Sequence, residues 1–184
     1  MKAVAPLLER SLRNRSPCPG CGALVPDTDG PTHRYIGASP GCWAVYGEVL
    51  AREYSDPLYA SAHKLTVDTY AVQHPGMPSP QSIRSVALHL VRLHLVLDRG
   101  FGSDEATAAM QRAAARKRDF RWLEPPASRG DWTILDVHAA ADPVEHGRRV
   151  EQWARCVWEA WAPHQGTARR WAEEADSRRP ERLS

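Results

Sequence analysis

Four segments of the chain begin with serine or aspartate followed by proline and continue with apolar residues at helical spacing. Serine and aspartate cap helix N-termini, and proline is favoured at the first helical position. The dipeptides are Ser39-Pro40, Asp56-Pro57, Ser79-Pro80 and Asp142-Pro143. They predict helices over residues 40–54, 57–73, 80–99 and 143–162. A fifth helix is predicted over 104–118, where acidic residues begin the segment and basic residues end it.

Two of these helices carry apolar stripes suited to packing in a bundle. One aligns Ile83, Val86, Ala87, Leu90, Leu93, His94 and Leu97, and the other aligns Val150, Trp153, Val157 and Trp161. The predicted fold class is therefore mostly α. We expect a helical bundle of about five helices joined by short loops, with an irregular N-terminal zinc-knuckle loop.

The 184 residues are enough for one domain with a core. We expect residues 1–176 to form a single helical domain, with the cysteine-rich loop of residues 14–42 as an integral part. The first dozen residues suit a frayed helix, and residues 177–184 a disordered tail. Residues 119–142 suggest a proline-rich crossover followed by a short extended or single-turn segment.

Composition narrows the possible partners and locations. The net charge of +2 gives no global field that would favour nucleic acid or an acidic membrane. The basic run at Arg112, Arg116, Lys117, Arg118 and Arg121 is typical of a solvated helix end, so nucleic acid is not an expected partner. Neither a membrane-length apolar run nor a signal peptide is visible, so we expect a cytoplasmic protein.

The first candidate site is the turn Cys18-Pro-Gly-Cys21, which has the form of a zinc knuckle. Zinc prefers thiolate and imidazole ligands in a tetrahedron, so a closed site needs two more donors. His33 and Cys42 are the nearest candidates, which makes a zinc site of Cys18, Cys21, His33 and Cys42 the first prediction. His74 is an alternative ligand in place of His33 or Cys42, because it lies at a helix end and could fold back.

Other roles for the cysteines remain open at this stage. Cys18 and Cys21 could form a redox pair, although such pairs are typical of a helix start beside a strand. Cys42 lies just inside a helix start, so it could be a reactive thiol or a small buried residue. Cys156 is most simply a core residue.

A second candidate site involves histidines on the central helices. His63 and His74 lie too far apart on a straight helix to bind one metal ion, at a rise of about 1.5 Å per residue. A catalytic site would therefore combine His63 or His74 with His89 or His94, and Asp68 would be a ligand or an orienting group. The candidate catalytic residues are His63, Asp68, His74 and His89. The alternatives are a helix-terminal role for His74 and a core role for His94.

The chain resembles a family of uncharacterised bacterial, actinobacterial-type proteins, a domain of unknown function. The motifs that carry the resemblance include CPGCG, SPGCW, DTYAVQHPG, FRWLEPP and WARCVWEAW. The resemblance covers nearly the whole chain and implies no established activity or catalytic residue. More distantly, the architecture is similar to DinB and YfiT-like bundles, in which three histidines hold a metal ion used in hydrolase or thiol-transfer chemistry.

Three hypotheses for function follow. The first is a zinc-stabilised helical module that binds a protein or small-molecule partner through its surplus of Trp and Arg. The second is a metal-dependent hydrolase or thiol-transferase-like enzyme with a separate His/Asp site. The third is a regulator that senses metal or oxidant through exposed thiolates. The sequence does not distinguish a substrate or an oligomeric state.

Overall fold

The computed structural model of the chain describes residues 14–115 and 120–176. These residues form seven α-helices and one two-stranded sheet. The strands are β1 (Arg15–Pro17) and β2 (Leu24–Pro26). The helices are α1 (Pro40–Ser55), α2 (His63–Gln73), α3 (Pro80–Leu97), α4 (Ser103–Ala114), α5 (Ile134–His138), α6 (Pro143–Ala160) and α7 (Ala162–Asp176). The predicted fold class, a mostly α bundle with an irregular N-terminal cysteine loop, is confirmed.

The third helix is the centre of the bundle. α3 packs against α2, α4, α6 and α7, while α1 lies at the side against α2, α5 and β2. The predicted stripe on α3 is buried at Val86, Ala87, Leu90, Leu93 and His94. Four tryptophans also belong to the core, because Trp153, Trp158, Trp161 and Trp171 are all nearly inaccessible to solvent.

Three of the four serine- or aspartate-proline signals begin a helix at the expected residue. The side chains of Ser39, Ser79 and Asp142 each accept a backbone hydrogen bond from the first turn of α1, α3 and α6 respectively. The helix expected to begin at Pro57 begins later, with a 3₁₀ turn over Ala60–Ala62 and then α2. The reason is that the Asp56 carboxylate accepts from Leu58 N at 2.9 Å and forms a turn.

Two helices complete the bundle beyond the five predicted. α5 is a single turn, one of the two alternatives that the sequence left open for the segment after the crossover, and it begins with a capping box between Thr133 and Asp136. α7 was not predicted, since its buried stripe consists mainly of alanine, with Ala168, Ala172 and Ala175 around Trp171. Within residues 14–115 and 120–176, none of the helices is long and apolar enough to span a membrane. The predicted N-terminal helix and C-terminal tail lie outside the described residues.

Candidate metal centre

The cysteine loop is held as a tight turn between the two short strands. β1 and β2 pair antiparallel, with Ser16 opposite Val25. Between them Cys18 N donates to Ala23 O at 2.9 Å, and Gly22 N donates to Cys18 O at 2.8 Å. Gly22 has a φ of 77°, a left-handed conformation that glycine adopts without strain. The turn therefore presents the Cys18 and Cys21 sulfurs to the same side.

Two helix ends bring further donors to this loop. Cys42 is the third residue of α1, where its backbone N–H donates to the capping Ser39 Oγ at 3.3 Å. His74 follows the last residue of α2, with a backbone that leaves the helical conformation. The carbonyl of His74 accepts from Gly37 N at 3.0 Å, so the loop before α1 is fixed to the end of α2.

Cys18, Cys21, Cys42 and His74 form a group whose ligand atoms all lie within 4.8 Å of one another. The sulfurs of Cys21 and Cys42 are 3.9 Å apart, and Cys42 Sγ lies 3.5 Å from His74 Nε2. A tetrahedral metal ion with metal–sulfur bonds of about 2.3 Å separates two sulfurs by about 3.8 Å, and a sulfur from a nitrogen by about 3.5 Å. The four residues are close enough to hold one metal ion.

Neighbouring groups orient these donors. His74 Nδ1 donates to Tyr70 O at 2.8 Å, which leaves Nε2 free to act as a ligand. The Tyr70 ring stacks on His74 with centroids 4.0 Å apart, and its hydroxyl donates to Cys42 Sγ at 3.5 Å. Ser39 N donates to Cys18 Sγ, also at 3.5 Å. Such contacts hold ligands in position before a metal ion binds.

The thiol pKa values indicate that the group on its own stabilises one thiolate but not three. Hydrogen bonds from Cys21 and Cys42 hold the pKa of Cys18 far below its usual range. Hydrogen bonding to Cys18 raises the pKa of Cys21 to about 11. Hydrogen bonding to Cys18 and Cys21 is the main cause that raises the pKa of Cys42, and burial raises it further. Three thiolates side by side therefore require a cation among them.

A cationic side chain from the crossover segment lies beside the loop. Arg129 Nη1 donates to Gly20 O at 2.5 Å. Burial lowers the pKa of Arg129 below its usual value, and the nearby Cys21 and Cys18 offset only part of this change. Gln73 holds this segment in place, because its side-chain amide donates to Arg129 O at 3.0 Å and to Trp132 O at 2.7 Å. Arg129 had no signal in the sequence, since it lies 109 residues from Gly20.

Close packing at Gly20 gives a prediction about the metal ligand. A Cβ at this position would collide with the His74 ring, so Gly20→Ala should displace His74. We expect metal affinity to fall about tenfold or more, as for changes around other ligands, measured by competition with a chelator of known affinity.

Gly47→Ala is the matched control for this substitution. Gly47 lies within α1, and a Cβ there would meet no atom within 4 Å. It should leave the metal affinity unchanged and raise the free energy of unfolding by about 0.5–1 kcal/mol, since alanine favours a helix. Equal affinities for Gly20→Ala and the unmodified protein would show that the His74 ring can move without cost.

The other candidate residues lie elsewhere. The His33 ring packs against Tyr35 and Trp43, with centroids 4.3 and 5.4 Å away, and His33 is not in the group around Cys18. His63 Nδ1 pairs with Glu53 at 3.0 Å. Cys156 accepts a hydrogen bond from Asp131 N at 3.2 Å, far along the chain from the cysteine loop.

Asp68 of α2 and His89 of α3 are in direct contact. His89 Nδ1 lies 2.7 Å from Asp68 Oδ1, and Arg92 Nε lies 2.6 Å from Asp68 Oδ2. Of the four candidate catalytic residues, the structure brings only Asp68 and His89 into contact. His63 and His74 belong to two other groups, so the four do not form one site.

Comparison with known proteins finds one match, to a protein-family model. No curated protein and no solved structure matches the chain. A family model described as a family of unknown function, DUF5946, matches residues 16–162. This range includes the cysteine loop, His74 and most of the bundle, so all four candidate ligands lie within the part of the chain that the family model matches. The chain belongs to the DUF5946 family.

Proposed function

We propose that Cys18, Cys21, Cys42 and His74 bind one zinc ion in a closed structural site. The observation that carries the proposal is the mutual approach of all four donor atoms within 4.8 Å. Structural zinc sites have four protein ligands, whereas catalytic sites keep one position open for water or substrate. Cys18, Cys42 and His74 are at most 2% exposed, which also favours a structural role.

The donor set supports zinc over other metals. Three thiolates and one imidazole in a tetrahedral arrangement suit Zn²⁺, while Mg²⁺ and Ca²⁺ prefer oxygen ligands. Three thiolates around a divalent ion leave about one net negative charge. The Arg129 guanidinium beside the loop at Gly20 offsets this charge, which favours retention of the ion.

The position of the site suggests what the zinc ion is for. Its ligands come from three separate segments, namely the hairpin loop, the start of α1 and the end of α2. The loop has no regular structure beyond the two short strands on either side of it. A zinc ion would hold the three segments together. We infer that the protein is a zinc-stabilised helical module that binds a partner, with zinc shaping the surface next to α1 and α2 rather than performing chemistry.

Metal content measured by elemental mass spectrometry on the untagged protein tests the proposal. We expect one zinc ion per chain, lost in His74→Ala and kept in His33→Ala, because His33 lies against Tyr35 and Trp43 instead. His33→Ala is thus the matched control, a histidine in the same region but outside the donor group. Zinc lost with His33 but kept without His74, or no metal in the unmodified protein, would refute the proposed site.

The enzyme hypothesis stays a prediction. A hydrolase or thiol-transferase built on His63, Asp68, His74 and His89 would need a second metal or an open ligand position. Two metal ions per chain in the same measurement would favour it. A regulator that senses oxidant would need accessible thiolates, and only Cys21 of the metal group is partly exposed.

A further inference from the structure

A cavity of about 150 Å³ lies beside the metal centre, between α1, α2 and α3. The side chains of Tyr35, Trp43, Tyr46, Tyr70, His33 and His89 form most of its wall. Tyr70 separates the cavity from the metal ligands, since its hydroxyl donates to Cys42 Sγ and its ring stacks on His74. A cavity of this volume is large enough for a benzene-sized ring.

One imidazole on the cavity wall, that of His89, has a nitrogen without a hydrogen-bond partner among the described residues. His89 donates from Nδ1 to Asp68 at 2.7 Å, and its Nε2 makes no hydrogen bond to any described residue. The Nε2 atom of His89 is therefore available to a polar group of a bound molecule. The bound molecule should therefore carry polar atoms as well as an apolar body.

The charges around the cavity favour an anion. The Asp68 carboxylate is only 3% exposed and is already paired with Arg92 at 2.6 Å. Asp68 therefore adds no free negative charge to the wall. A second cavity of about 270 Å³ shares Tyr35, Ser85 and His89 with the first and adds Arg84. Arg84 is exposed and forms no ion pair with any described residue, so its guanidinium is available.

An aromatic wall can also bind a cation through ring faces, but here the main faces are covered. Tyr46 and Tyr70 stack on each other with centroids 3.8 Å apart and an angle of 10°. The opposite face of Tyr70 is stacked on His74. A cation would also lie near Arg84 with no free carboxylate to balance it. These contacts argue for an anionic occupant over a quaternary ammonium ion.

We propose that this cavity binds a small aromatic carboxylate. The ring lies among Tyr35, Trp43 and Tyr46, and the carboxylate extends towards the adjoining cavity, where the Arg84 guanidinium donates hydrogen bonds to it. The proposal rests on the proposed function in one respect, namely that the metal centre holds α1 and α2 in place around the cavity.

Titration of the metal-loaded protein with benzoate, followed by two-dimensional NMR, tests the proposal. We expect benzoate to shift the indole N–H signal of Trp43 and to bind more tightly than benzamide, its uncharged analogue of the same shape. Arg84→Gln should weaken benzoate binding about tenfold, as expected for loss of a charged hydrogen bond. Arg148→Gln, on the exposed surface of α6, is the control and should bind as the unmodified protein does.

Three outcomes would overturn the proposal. Benzamide could bind as tightly as benzoate, benzyltrimethylammonium could bind more tightly than benzoate, or benzoate could leave the indole N–H signal of Trp43 unshifted. Metal content is measured on the same samples. An absence of benzoate binding in zinc-loaded protein would therefore refute the cavity proposal alone, whereas benzoate binding to protein that never contains metal would refute only the zinc site.

Discussion

Cys42→Ser is expected to lower the free energy of unfolding by at least about 4 kcal/mol, a large share of the stability of a protein of this size. Cys42 is fully buried, and its sulfur contacts Cys21, His74 and Tyr70. Serine supplies no thiolate at neutral pH, so the substitution removes a ligand. Structural zinc contributes folding energy directly, because the unfolded chain has no formed site. Urea unfolding monitored by circular dichroism measures the change.

Cys156→Ser is the matched control, since it makes the same chemical change outside the metal centre. Cys156 is partly buried and accepts a hydrogen bond from Asp131 N at 3.2 Å, which a serine oxygen could also accept. We expect a change within about 1 kcal/mol. Equal losses from the two substitutions would show that thiol burial, not metal binding, determines the effect at Cys42.

Chelation of the unmodified protein distinguishes a structural metal from a sensed one. If the ion is structural, a strong chelator should remove it slowly and unfold the bundle near α1 and α2. Rapid release with the fold retained would favour the sensor hypothesis instead, because a sensor requires the metal to leave readily.

Much of the helical frame could be predicted from local signals. Ser39, Ser79 and Asp142 cap their helices as the sequence indicates, because capping depends on residues within one turn. Asp56 carries the same signal but forms a turn, in which its carboxylate accepts a hydrogen bond from Leu58 N. Such a local hydrogen bond is compatible with a turn as well as with a helix start, so the signal alone does not distinguish the two. α7 has few large apolar residues, and its stripe of alanines is visible only when the rest of the bundle surrounds it.

The metal centre could be predicted in part. Cys18, Cys21 and Cys42 are recognisable from the knuckle spacing, but the choice between His33 and His74 depends on where the end of α2 lies in space. That position is set by long-range contacts such as the hydrogen bond from Gly37 N to His74 O. The contact of Asp68 with His89 was foreseeable only as one of several pairings, because it joins two helices. The packing of the helices therefore determines both the position of His74 and the contact of Asp68 with His89.

Glu53→Ala is the second substitution for which we expect a large effect. Glu53 is fully buried on α1 and joins three elements through its carboxylate. It accepts from His146 Nε2 of α6 at 2.8 Å, His63 Nδ1 of α2 at 3.0 Å and Thr66 Oγ1 of α2 at 2.5 Å. Removing one partner of a buried polar group leaves the others without compensation, at a cost of about 3–5 kcal/mol. Urea unfolding again measures the loss.

Glu48→Ala provides an unusually close control. Glu48 lies on the same helix and also pairs with a histidine, His138, at 2.7 Å, but its side chain is 66% exposed. Exposed pairs contribute little, so we expect a change within about 0.5 kcal/mol. The two variants thus compare the same residue type and the same kind of pair in two environments. A similar small loss for both would mean that water reaches Glu53, and that the contacts among α1, α2 and α6 are maintained by apolar packing instead.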